Sequence, residues 1–105
     1  QAETSVLDYP AHQQRLMPWL ASAYAHHFTA ADLQRRWAEH EGEDTREIEA
    51  LAAGVKALAT WHGIDACQAA RECCGGMGFL TLNRISQMRR DVDVFATFEG
   101  DNTVL

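Results

Sequence analysis

Residues 44–62 read Asp-Thr-Arg-Glu-Ile-Glu-Ala-Leu-Ala-Ala-Gly-Val-Lys-Ala-Leu-Ala-Thr-Trp-His. Ile48, Leu51, Ala52, Val55, Leu58, Ala59 and His62 recur at three- and four-residue steps, the repeat that lays one apolar stripe along an α-helix. Asp44 and Glu47 stand three apart just before that stripe, as in a capping box, and predict where the helix begins. Gly63 is expected to stop it.

Working outward, the same period governs the flanks. Leu16, Leu20, Ala23, Tyr24, His27, Phe28 and Ala31 predict a long helix with those residues on its buried face. Asp8 is expected to cap it, with Pro10 in the first turn and Pro18 marking a kink or a delayed start. Glu39 to Asp44, polar and containing Gly42, suits an exposed loop. After Gly63, Asp65 is expected to cap a third helix carrying Ala66, Cys67, Ala69 and Ala70, ended by Gly75-Gly76-Met77-Gly78. A short fourth helix fits Asn83 to Val92, with Ile85, Met88 and Val92 inward. The fold class is therefore all-α, a bundle of about four helices. Asp101 or Asn102 looks like one more cap with only Thr103, Val104 and Leu105 behind it, which predicts that a following helix has been removed.

Composition agrees. The chain has 105 residues, 47% of them hydrophobic and 23% charged, a globular profile for one domain over residues 1–105 with one modest core. The net charge of −6 argues against nucleic acid, whose phosphates call for a basic face. No run of about 18 apolar residues is present, so no membrane span is expected. Three cysteines, two of them adjacent, do not make a disulfide scaffold and point to a reducing intracellular compartment.

Few residues carry chemistry. His26 and His27 are adjacent and so point about 100° apart on a helix, unable to share a metal. His62, Cys67, Cys73 and Cys74 lack ligand spacing, so no metal site is expected. The Gly75–Gly78 run either ends a helix or lets a ligand approach the backbone; glycine serves both purposes. Glu99 emerges from the apolar Phe95-Ala96-Thr97-Phe98 onto Gly100. If buried there it would be a carboxylate poised as a base, and if not it would favour the dipole of a following helix.

Three segments taken together resemble the C-terminal region of acyl-CoA oxidases, flavoproteins of the acyl-CoA dehydrogenase superfamily. They are Ala70-Arg-Glu-Cys-Cys-Gly-Gly-Met-Gly-Phe79, then Asn83-Arg-Ile85 with Arg90-Asp91, and Phe98-Glu-Gly-Asp-Asn-Thr-Val-Leu105. Leu7-Asp-Tyr-Pro-Ala-His-Gln13 is similar to the start of the same helical domain, so the resemblance covers nearly the whole chain. It implies FAD as cofactor, fatty acyl-CoA as substrate and a homodimer or higher homo-oligomer. It also implies a base, aligned with Glu99, that removes the thioester α-proton while the β-hydrogen leaves as hydride to the flavin. Oxygen then takes the electrons and hydrogen peroxide forms. Gly100 leaves room for the thioester to reach the Glu99 backbone N–H, which helps stabilise the developing enolate. His12 and Gln13 match a pair that contacts flavin nucleotide, and Gly75 and Gly76 match glycines that approach a partner subunit's FAD. FAD in this family is held mainly by a middle domain that no segment here resembles, so these residues by themselves are expected to bind none.

Dehydrogenases commonly carry Gln where this chain has Glu72 and Thr where it has Asp101, so the wording favours the oxidase branch. The alternatives are a dehydrogenase passing electrons to a flavoprotein carrier, and a non-catalytic helical assembly module, against which the retained Glu99 speaks. The compartment implied is the peroxisome if eukaryotic and the cytoplasm if bacterial.

Overall fold

Two long helices lie side by side, a short turn precedes the first, and the segment after the second folds back onto it. The computed structural model describes residues 2–105. Helix α1 spans Pro10–Glu39, α2 spans Arg46–Cys73 and α3 spans Ile85–Asp93. Short 3-10 turns cover Val6–Asp8, Gly75–Phe79, Thr81–Asn83 and Val94–Ala96. Among the described residues the fold is all-α, with three α-helices where about four were expected.

The missing boundary is Gly63. Helix α2 passes straight through it, and Asp65 lies inside that helix and caps nothing. A glycine in a helix interior costs about 1 kcal/mol relative to alanine. Packing offsets that cost, because Ala59, His62, Ile64, Ala66, Cys67, Ala69 and Ala70 continue the partly buried surface on both sides. The caps also shift by one residue. Tyr9 occupies the N-cap of α1, with Pro10 in the first turn, and Thr45 occupies that of α2. Asp44 instead accepts from the Arg46 backbone N–H at 3.3 Å. Helix α1 starts at Pro10 and runs on across Pro18, so the proline delays nothing.

The buried face of α1 differs from the expected one. Leu20, Tyr24 and Phe28 are 52%, 59% and 64% exposed. The residues turned toward α2 are His12, Leu16, Trp19, Ser22, His26 and Leu33, all half-buried. The Trp19 and His26 rings lie 5.6 Å and 4.8 Å from the His62 ring between centroids, both tilted against it. Both stripes have helical period, so periodicity alone cannot say which one meets α2. In α3 Met88 is likewise exposed, while Ile85 and Val92 turn partly inward.

The core is a thin seam. Among the described residues only Ile48 and Ala57 are buried apolar side chains. The molecule measures 66 × 24 × 21 Å with a radius of gyration of 17.5 Å, against about 13 Å for a compact domain of this length. No helix among the described residues is long and apolar enough to cross a membrane.

Candidate active site

Helix α2 organises two separate stations. At its C-terminal end the chain enters Gly75–Phe79 with Gly75 at φ 56°, a left-handed turn that glycine adopts without strain. Two side chains hold this turn: Asn83 donates to the Met77 carbonyl at 2.6 Å and Ser86 to the Gly78 carbonyl at 3.1 Å. Gly78 is wedged against the helix, where a Cβ would sit 2.2 Å from the Arg71 carbonyl oxygen. Gly76 is different. It has ordinary φ, and a Cβ there would meet nothing within 4 Å. The chain's own packing therefore gives no reason for glycine at Gly76.

The antiparallel register of α1 and α2 brings His12 and Gln13 to this same end. Arg15, one turn further along, reaches Glu72 at 3.6 Å. His12 is half-buried, and Gln13 is exposed beside a shallow hollow of about 530 Å³ lined by Pro10, Gln14, Met17, Pro18 and Ala21. Glu72 also accepts from Gln68 at 2.6 Å, so its carboxylate is held on the helix surface.

Glu99 stands at the second station, where the segment after α3 folds back onto the middle of α2. Its backbone is left-handed, φ 56°, and Gly100 follows at φ 111°. For a non-glycine residue the left-handed conformation costs roughly 1–2 kcal/mol, a strain that persists only when neighbouring contacts impose it. Those contacts are present. Asn102, the only buried polar residue among those described, donates to Thr60 Oγ1 at 2.8 Å and to the Ala57 carbonyl at 3.3 Å. Its side-chain oxygen accepts from Lys56 Nζ at 2.7 Å, and the same ammonium donates to the Gly100 carbonyl. The Asn102 backbone N–H reaches the Ala96 carbonyl at 3.0 Å.

Asp101 is engaged within the turn. Its carboxylate accepts the Thr103 N–H at 2.8 Å, a bond that holds its pKa below the usual value, with the Lys56 charge adding to the effect. The amides of Val104 and Leu105 turn back to the Asp101 carbonyl, so Asp101 rather than Asn102 takes the capping position. Glu99 itself is exposed. The burial anticipated for it is not supplied by these residues, because the flanking Phe95 and Phe98 are themselves 45% and 53% exposed.

Lys56 and Asn102 were not legible as parts of this site. The one available signal is that Lys56 is the only charged residue between Glu49 and Asp65, a lone cation in an apolar stretch. Lys56 and Cys73, the last residue of α2, lie roughly 25 Å apart along the helix axis. The glycine turn and Glu99 are therefore distinct stations, not one cluster. No group of three His, Cys, Asp or Glu suited to a metal occurs among the described residues.

Comparison with known proteins places the chain. The family model for the acyl-CoA oxidase C-alpha1 domain matches residues 1–105, and the chain belongs to that family. It is 44% identical over 109 residues to the peroxisomal acyl-coenzyme A oxidase 2 of Arabidopsis thaliana, covering 100% of this chain and 16% of that protein. The human peroxisomal acyl-coenzyme A oxidase 3 is 43% identical over 115 residues, covering 98% of this chain and 16% of the relative. The crystal structure of acyl-CoA oxidase 1 from Yarrowia lipolytica superposes with a TM-score of 0.75 at 34% identity, over 97% of this chain and 18% of that one. The chain thus spans about a sixth of the length of the curated relatives it matches.

Proposed function

We propose that residues 1–105 form one helical domain of an FAD-dependent acyl-CoA oxidase, with Glu99 as the base that removes the α-proton of a fatty acyl-CoA. The observation that carries this reading is the imposed left-handed conformation of Glu99, with glycine directly after it and a hydrogen-bonded clamp beneath. Strain of this kind clusters at active sites; Arg84, at φ 61°, shares it as the N-cap of α3, so the glycine after Glu99 and the clamp beneath it are what set Glu99 apart. A thioester α-proton is weakly acidic. A carboxylate removes it only if the enolate oxygen is stabilised in the same step. The backbone N–H of Glu99 is the donor this chain offers, and Gly100 keeps the approach to it free of a side chain. These residues leave the carboxylate exposed, so the burial that suits it to act as a base comes from parts of the oxidase outside them.

FAD supplies the hydride acceptor when bound. The open surface at Gly76, which the fold itself does not call for, suits close approach by a nucleotide, with His12 and Gln13 at the same end of the hairpin. The distance between that end and Glu99 supports a glycine turn facing the FAD of a partner copy in a homo-oligomer. Glu72 and Asp101 stand where the dehydrogenases that the chain resembles commonly carry Gln and Thr, and that wording favours oxygen over a flavoprotein carrier as the electron acceptor. The printed names of the relatives include the word peroxisomal, which supports a peroxisomal setting if the source is eukaryotic; a bacterial source would place the enzyme in the cytoplasm.

Turnover of the full-length enzyme on a fatty acyl-CoA under air tests the reading. Stoichiometric hydrogen peroxide with trans-2-enoyl-CoA is the expected result. Electron transfer to a flavoprotein carrier with no peroxide would replace it with the dehydrogenase reading.

A further inference from the structure

We infer that Lys56, in the middle of α2, is a positioning residue for the proton-abstraction step, acting by clamping the Glu99–Gly100 turn. This rests on the reading of Glu99 as the base. The Lys56 ammonium makes two hydrogen bonds to the turn, one to the Gly100 carbonyl and one, at 2.7 Å, to the Asn102 side-chain oxygen. Asn102 is 6% exposed and spends its two amide hydrogens on Ala57 and Thr60. One cation thus ties the residue after the base, and the residue that buries the turn, to a rigid helix.

The placement has a chemical consequence. The Gly100 carbonyl belongs to the planar Gly100–Asp101 peptide unit, so fixing it limits rotation at Gly100 ψ and Asp101 φ and, with Asn102 held as well, anchors the turn directly after Glu99. The left-handed backbone at Glu99 is not one its side chain prefers, and without the clamp the turn would relax toward ordinary φ. The carboxylate and the Glu99 N–H must both face the thioester, and a displacement of about 1 Å in such an arrangement can cost on the order of 10²-fold in rate. Lys56 touches neither substrate nor flavin in this role. Asn102 shares it, but truncating a buried, fully bonded amide would also unfold the turn. Lys56 is the cleaner handle.

The test uses the full-length, flavin-loaded oxidase. Lys56→Met is expected to lower the rate of anaerobic flavin bleaching at saturating acyl-CoA by roughly 10- to 100-fold, with KM and flavin content close to wild type. Lys56→Arg, which keeps a charged donor, is expected to recover much of the loss. Hydrogen exchange gives a readout independent of activity: the Asn102 amide, bonded to the Ala96 carbonyl, should exchange faster in Lys56→Met. Glu99→Gln is measured alongside. If Glu99→Gln is inactive while Lys56→Met bleaches and exchanges like wild type, the clamp is refuted and the base stands. If Glu99→Gln bleaches at wild-type speed, both fall. Should Lys56→Met fail to hold flavin, Lys56→Gln takes its place, and wild-type bleaching and exchange in that variant overturn the proposal equally.

Discussion

The imidazole rings of His26 and His62 face each other across the α1–α2 seam with centroids 4.8 Å apart. Trp19 packs on the His62 ring from the same side of α1 at 5.6 Å. The seam holds a pair of titratable rings where a helical hairpin would ordinarily place aliphatic side chains. Burial holds the pKa of His62 below its usual value, and the neighbouring His26 adds to this, while Asp65 pulls the other way.

The sign of the pH effect follows. A histidine with a depressed pKa in the folded state is protonated more readily in the unfolded chain, so acid favours unfolding. Stability should be complete above the ordinary histidine range and fall as pH drops from about 7 through 6.5 and below. Asp32, Asp44 and Asp101 also have lowered pKa values, but their contributions are lost only at more acidic pH. Thermal unfolding followed by circular dichroism should show a melting temperature a few degrees lower at pH 5.5 than at pH 7.5. His62→Gln should flatten that difference, and an unchanged slope in that variant would remove His62 from the account.

Gly78 and Gly76 should separate packing from ligand contact. A Cβ at Gly78 would lie 2.2 Å from backbone at Arg71, which no rotamer can relieve, so Gly78→Ala should destabilise the fold by about 1–3 kcal/mol. Denaturant unfolding of the chain checks this, and an unchanged midpoint contradicts it.

At Gly76 the added side chain meets open space. Gly76→Val should leave helical circular dichroism essentially unchanged in the chain while weakening FAD retention in the full-length enzyme. A wild-type flavin-to-protein ratio after gel filtration would reduce the turn to a helix ending.

Helices α1 and α2 are legible in the sequence only in part. The helices themselves follow from period and propensity, and the loop near Gly42 and the break at Gly75 follow from glycine chemistry. Gly63 reads as a stop only as a local signal; its cost of about 1 kcal/mol is small beside the packing of two long helices. The face of α1 misled because Leu20, Tyr24 and Phe28 are apolar without being covered here. At the site, Glu99, Gly100 and the glycine turn could be singled out from their residues. Asn102 reads there only as a helix cap, and its tie to Lys56 is not readable, since a contact across 46 positions leaves no periodic trace.

The exposed stripe carries its own prediction. Leu20, Tyr24 and Phe28 form a bare apolar strip along one helix, and contiguous apolar surface drives association. The 105-residue chain alone should be a dimer or larger by light scattering, and should carry no FAD. Tyr24→Glu with Phe28→Glu should shift it toward monomer. A wild-type monomer at high concentration would contradict the association, and flavin absorbance travelling with the chain would contradict the other half.

Glu99 bears the whole functional reading, and one substitution addresses it. Glu99→Gln keeps the size of the side chain and removes its basicity, so in the full-length oxidase the fold and bound flavin should persist. Stopped-flow bleaching of the flavin by a saturating fatty acyl-CoA under anaerobic conditions then reads proton abstraction before oxygen enters. A loss of about 10³-fold or more is expected, the scale of a missing positioned base. Bleaching at the wild-type rate would show that some other group takes the proton.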